Sequence, residues 1–347
     1  MDDRLYLDHA ATTPLSQAAI TAMSDAFARW ANPSSPHADG RAARAALEDA
    51  RGRICRALDW DGGLIFTSGA SEAIAIALGR AKAEQVATSP VEHDAVLRVT
   101  PGRERLGLDG RGTPILPEEM TGALIAIQHV NNETGVIQPL GRISSAVRTA
   151  GGYLFADCAQ SAGKLPLPDA DMVAISAHKF GGPPGVGALL IRNLARIHPS
   201  GGQEQGYRAG TENLPGVIGM AAALEESFDW MQEAAELRQA LDAAISDAGG
   251  EVVAASSPRI ATIASYRMPG VSARAQLIQF DMAGISVSAG SACSSGTLKT
   301  SHVLTAMGWD EQAAGEVVRV SFGPSTGAAD IAQFVGAWQM IAKSATR

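Results

Sequence analysis

Short uninterrupted apolar runs recur along the first part of this chain: Leu64–Thr67, Gln85–Thr88, Ala123–Val130, Tyr153–Asp157, Met172–Ser176 and Val186–Ile191. A strand with one wet face alternates apolar and polar residues; a strand covered on both faces has no such need. Helical patterns separate the runs, one starting at Ser68–Ser71 and reaching about Ala83, another over Gly141–Ala150. Doubly buried strands alternating with helices specify an α/β fold on a mainly parallel sheet.

The texture changes later. Residues Pro215–Ala248 read as one long helix, and Gly249-Gly250 breaks it. Beyond the break, Ile260–Ser265, Ile285–Ser288 and Val317–Ser321 read as strands, with helices at Ala273–Met282, about Ser301–Met307 and Ala328–Ala342. These segments predict a second, smaller α+β unit. A formal charge of −8 leaves no basic stripe to neutralise phosphates, which argues against nucleic-acid binding. No apolar run reaches the length of a membrane span, and the N-terminus is acidic rather than signal-like, so a soluble cytoplasmic protein is expected. The three cysteines, Cys55, Cys158 and Cys293, have neither a disulfide framework nor metal-ligand spacing.

Several residues at strand ends could carry chemistry. Asp157 closes one apolar strand, and Lys179 follows the next in the run Ser176-Ala177-His178-Lys179. A lysine that can form a Schiff base, beside an acid that can face a pyridinium nitrogen, is what pyridoxal 5'-phosphate requires. Each alone also reads as a snorkelling lysine or a turn acid. His93 follows the Gln85–Thr88 strand and could stack on a cofactor ring, or simply serve as a structural hydrogen-bonding residue. The turn Ser68-Gly69-Ala70-Ser71-Glu72 suits an anion at a helix N-terminus, or an ordinary cap by Ser71. Arg319, flanked by valines, suggests a carboxylate clamp or an interdomain salt bridge. Cys293 lies among Gly, Ser and Ala, which favours a mobile loop over a packed core. Cys55 fits a core position, and Cys158 is expected to be buried and silent.

Together these residues resemble the pyridoxal-phosphate-dependent cysteine desulfurases, fold-type-I enzymes of the class-V aminotransferase kind, in the group with a long cysteine loop. The likeness spans nearly the whole chain. It runs through Tyr6–Pro14, Asn32–His37, Thr67–Glu72, Glu92-His93, Val130–Gly135, the Asp157/Gln160 and Ser176/Lys179 motifs, Arg208–Thr211 and Ser291–Cys293. The resemblance implies a large domain (15–249) around a seven-stranded, mainly parallel sheet, and a small domain formed by 1–14 plus 250–347. It implies that Lys179 holds the cofactor, Asp157 faces its ring nitrogen and His93 stacks on the ring and moves protons. Asn132 and Gln160 would surround the phenolic oxygen, with Asn132 also near the substrate. Ala70, Ser71, Ser176 and His178 would hold the phosphate. Thr211 would reach the site of a second subunit, implying a homodimer. Arg319 would bind the carboxylate of L-cysteine, and Cys293 would accept its sulfur, leaving alanine. The persulfide would then serve a sulfur-acceptor or scaffold protein, as in iron–sulfur cluster assembly. A selenocysteine lyase and an aminotransferase of the same fold are the competing activities. The departures are His9, where the family often has Asn; Cys158, commonly Thr, Gly or Ala; and shortened stretches between His93 and Asn132 and between Lys179 and Arg208.

Overall fold

The computed structural model describes residues 4–29, 31–226, 228–292 and 298–345. Seven strands form one sheet: β1 (Gly63–Thr67), β2 (Gln85–Thr88), β3 (Glu104–Arg105), β4 (Ala123–Gln128), β5 (Tyr153–Asp157), β6 (Met172–Ser176) and β7 (Gly187–Ile191). Their spatial order is β1-β7-β6-β5-β4-β2-β3. Neighbours from β6 to β3 pair in parallel, and β7 alone runs antiparallel to both β1 and β6. Ile125 and Ile127 of β4 join Val173 and Ile175 of β6 in one core layer, whereas Leu124 and Ala126 join Met172 and Ala174 in another. Alternate residues of a pleated strand point to opposite faces, so both faces are buried and the runs carry no polar alternation. The strand hidden from the sequence is β3, two exposed charged residues with no apolar signal.

A second core forms around the antiparallel strands Ile263–Arg267 and Val317–Ser321. Tyr266, Phe280, Phe322, Phe334 and Trp338 fill it, with the Phe280 and Phe334 rings stacked at 5.0 Å. Leu5 and Leu7 enter this same core, and Leu5–Tyr6 pairs in parallel with Ile285–Ser286.

The single helix expected over Pro215–Ala248 is two helices, Leu214–Leu224 and Trp230–Asp247. Val217, Met220 and Leu224 of the first pack against the large sheet, whereas Ala234, Leu237, Leu241 and Ile245 of the second enter the second core. The chain must turn to serve two cores.

Candidate active site

The C-terminal ends of adjacent strands gather the titratable residues. β5 ends at Asp157, beside Gln128 at the end of β4. β6 ends at Ser176 and runs straight into the 3-10 turn Ala177–Lys179. β2 leads to His93, which caps the helix Asp94–Val99.

Asp157 is 6% exposed, and its Oδ1 accepts from the Ala159 N–H at 2.9 Å. Burial pushes this carboxyl above its ordinary range, while the Ala159 N–H and the neighbouring His93 and Lys179 pull it back. Lys179 Nζ donates to the carbonyls of Ala10 (2.7 Å) and Ala11 (2.9 Å). Burial, and then the nearby Arg319 guanidinium, lower its amine to about 8. His93 Nδ1 accepts from the Ala95 N–H at 3.1 Å, so the neutral ring carries its proton on Nε2. Burial lowers the pKa of His93, which is therefore neutral at pH 7. The bland sequence readings of Asp157 and His93, a turn acid and a structural hydrogen-bonding residue, hold at the same time as their proximity to Lys179.

The helix Ala70–Gly79 is capped not by Ser71 but by Gly69, and no side chain bonds its first turn. Gly69 has φ +144°, a conformation side chains disfavour, and a Cβ there would sit 3.4 Å from Ser176 Oγ. Ala70 and Ser176 are buried, and Ser71 is exposed at the same turn. His178 Nδ1 lies 3.2 Å from Thr12 Oγ1, and burial lowers this imidazole to about 4. Glu72 accepts from the Ser68 N–H at 2.5 Å and pairs with Arg208 at 3.1 Å. That pair ties the segment leading to Thr211 to the helix N-terminus; Thr211 itself is exposed.

Arg319 is 6% exposed; its guanidinium donates to Asp8 Oδ1 at 2.8 Å and to the Asn132 carbonyl at 2.9 Å. Its buried Nε has no protein partner. Gln160 Nε2 donates to the Ala10 carbonyl at 2.9 Å, leaving a buried Oε1 without a partner. Cys158 is fully buried, and burial pushes its thiol far above the ordinary range, as its silent role requires. Cys293 lies outside the described residues.

The sequence reading assigned no task to the Ala10 and Ala11 carbonyls, to Asp8, or to Lys164. Burial and Lys179 bring the Lys164 amine down to about 7. The carbonyls carry no side-chain signal at all. Lys164 could have been noticed, since few lysines sit in so apolar a run as Ala162-Gly163-Lys164-Leu165-Pro166.

The class-V aminotransferase profile matches residues 5–334. This chain is a class-V aminotransferase family member. It is 36% identical over 367 residues to the cysteine desulfurase IscS of Dictyoglomus turgidum, covering 95% of this chain and 92% of that one. Among solved structures, a NifS-like protein superposes with a TM-score of 0.87 at 28% identity, covering 98% of this chain and 100% of that one. SspA, solved in complex with cysteine, matches with a TM-score of 0.78 at 28% identity, over 92% of this chain and 99% of that one. The relatives place this class-V aminotransferase among the cysteine desulfurases.

The residues fit the cofactor on which this family generally depends. Asp157 is a buried carboxyl that burial pushes above its ordinary range, and a pyridinium beside it would favour its charged form. The uncapped helix at Gly69, with Ser176 beside it, is a cradle for a phosphate. Gln160 holds an unpartnered buried oxygen in the same class-V aminotransferase site.

Proposed function

We propose that this enzyme takes sulfur from L-cysteine, releasing L-alanine, with pyridoxal 5'-phosphate attached to Lys179. The observation that carries the reading is the convergence of Lys179, Asp157, His93 and Arg319 at one end of the sheet, close enough for their charges to shift one another. Bound there, the cofactor supplies an electron sink for the substrate's α-carbon.

Arg319 holds the substrate carboxylate through its guanidinium, whose buried Nε lacks a protein acceptor. Lys179, with an amine near 8, can give up and take a proton at neutral pH and so removes the α-proton. Asp157 would hold the cofactor's ring nitrogen in its protonated form, and His93, with its proton on Nε2, would relay protons beside the ring. Cys293 attacks the substrate sulfur as a thiolate. Its sulfur–sulfur bond forms as the substrate's carbon–sulfur bond breaks, and the electron pair left on carbon is protonated to give alanine. The resulting persulfide passes to an acceptor or scaffold protein. A homodimer in which Thr211 of each chain completes the other's phosphate site accounts for the exposure of that residue here.

The test is Cys293→Ala. The variant is expected to keep the cofactor's visible absorbance and to lose sulfide release from L-cysteine. Full sulfide release by it would overturn the proposal.

A further inference from the structure

The hydrogen bonds that root the segment around Cys293 end on a site residue or on the chain neighbour of one. On the N-terminal side, Ser288 exchanges two backbone bonds with Arg319, at 2.7 and 3.2 Å. Strands Ser291–Ala292 and Leu298–Lys299 then pair antiparallel. On the C-terminal side, Ser301 Oγ donates to Glu133 Oε2 at 2.5 Å, one residue from Asn132. His302 Nε2 bonds the Glu92 carbonyl at 2.9 Å, one residue from His93. A carbonyl only accepts, so this Nε2 carries the proton.

The two roots also meet each other. A Cβ on Gly290 would lie 3.1 Å from Ser301 Cβ and 3.5 Å from Glu133 Oε2. Ser301 and Glu133 are 2% and 3% exposed, and a charge-assisted bond so shielded is strong. Glu133 is fixed in turn, its N–H on Asn131 Oδ1 (2.9 Å) and its carbonyl receiving Ser265 Oγ (2.7 Å). The helix His302–Ala306 does not need the imidazole. Ser301 caps it through the Leu304 N–H at 3.1 Å, and Val303 and Leu304 bury it.

We propose that His302 and the Ser301–Glu133 pair are positioning residues for sulfur transfer, registering the root of the Cys293 segment on the loops that carry Asn132 and His93. The inference rests on Cys293 as the sulfur acceptor. Neither His302 nor the Ser301–Glu133 pair bonds Arg319 or Lys179, so their loss should slow transfer more than it weakens binding. Small displacements of a reacting group cost large factors in rate.

The experiment uses the cofactor-loaded enzyme and L-cysteine in single turnovers, with persulfide on Cys293 followed by mass spectrometry. His302→Ala is expected to slow persulfide formation by about tenfold or more. The L-cysteine concentration that half-saturates the cofactor's absorbance change should stay within about twofold, as expected when binding contacts are untouched. His302→Gln places an amide N–H at similar reach and should restore most of the rate; Glu133→Gln should repeat the defect of His302→Ala. Wild-type transfer in His302→Ala, a parallel loss of L-cysteine binding, or failure of His302→Gln to restore the rate would each overturn the proposal. Failure of the underlying reading looks different: Cys293→Ser would still release sulfide, and no variant would carry persulfide at that position.

Discussion

The amine of Lys179 offers a direct measure of the site's electrostatics. Its pKa of about 8 comes first from burial, next from Arg319, with Asp8 and Asp157 pulling the other way. At pH 7.5 an amine of that pKa is free in about a quarter of molecules, against about a thousandth for an ordinary lysine. The free base attacks an aldehyde, so the lowered pKa gives about a two-hundredfold gain in reactive amine. Competitive labelling of the cofactor-free protein with limiting acetic anhydride between pH 6 and 11, read by peptide mass spectrometry, should place the Lys179 midpoint near 8. Arg319→Met removes the largest nearby positive charge and leaves Asp8 free to attract the ammonium, so the midpoint should move up. It should stay below that of an exposed lysine, because burial is the larger cause. A wild-type midpoint at the ordinary lysine value, or no movement in Arg319→Met, would refute the reasoning.

Two further outcomes follow from single residues. His9 is 4% exposed, its ring edge-on to Tyr6 at 5.0 Å, and burial lowers its pKa to about 4. The folded state prefers the neutral ring, so this group's contribution is intact above about pH 6.5 and is lost as pH falls toward 4. By pH 4.5 the loss is about 2.5 kcal/mol. His9→Asn should therefore lose about that much less stability between pH 7.5 and 4.5 in urea unfolding; equal losses in both proteins would sink the assignment. Gly69→Ala puts a methyl at φ +144° beside Ser176 Oγ. Strain of about 1–3 kcal/mol at that turn should cut the preference for pyridoxal phosphate over pyridoxal by about 5- to 150-fold. An unchanged ratio in equilibrium titrations would place the phosphate elsewhere.

The sheet was legible because its strands are buried on both faces. Gln85–Thr88, Tyr153–Asp157 and Met172–Ser176 were bounded to the residue by apolar content alone. Strand β3 escaped because an exposed pair, Glu104 and Arg105, has nothing to bury. The division into Leu214–Leu224 and Trp230–Asp247 escaped because composition stays helix-compatible while the packing partner changes from one core to the other. Within the site, Lys179, Asp157 and His93 were visible as side chains at strand ends. The Ala10 and Ala11 carbonyls were not, since any residue supplies a carbonyl and only the fold decides where it points. Arg319 shows how two readings can be compatible: it is a salt-bridge partner of Asp8, and its unpartnered Nε leaves room for the carboxylate clamp proposed above.

The N-terminal segment has a consequence for how the enzyme is made. Leu5 waits for Ile285, the Leu7 carbonyl for the Ser321 N–H at 2.8 Å, and Asp8 for Arg319. At about 5–20 residues per second, the ribosome delivers these partners roughly 15–60 s after the segment that needs them. During that interval all seven sheet strands can assemble, yet the segment over the Lys179 turn lacks its anchors in the second core. A nascent chain stalled before residue 317 would hold a complete large sheet and no working site. The first-made residues over the lysine are thus held from two sides, early by Gln160 and His178 and last by Ser321 and Arg319, and the site is complete only when the second set arrives.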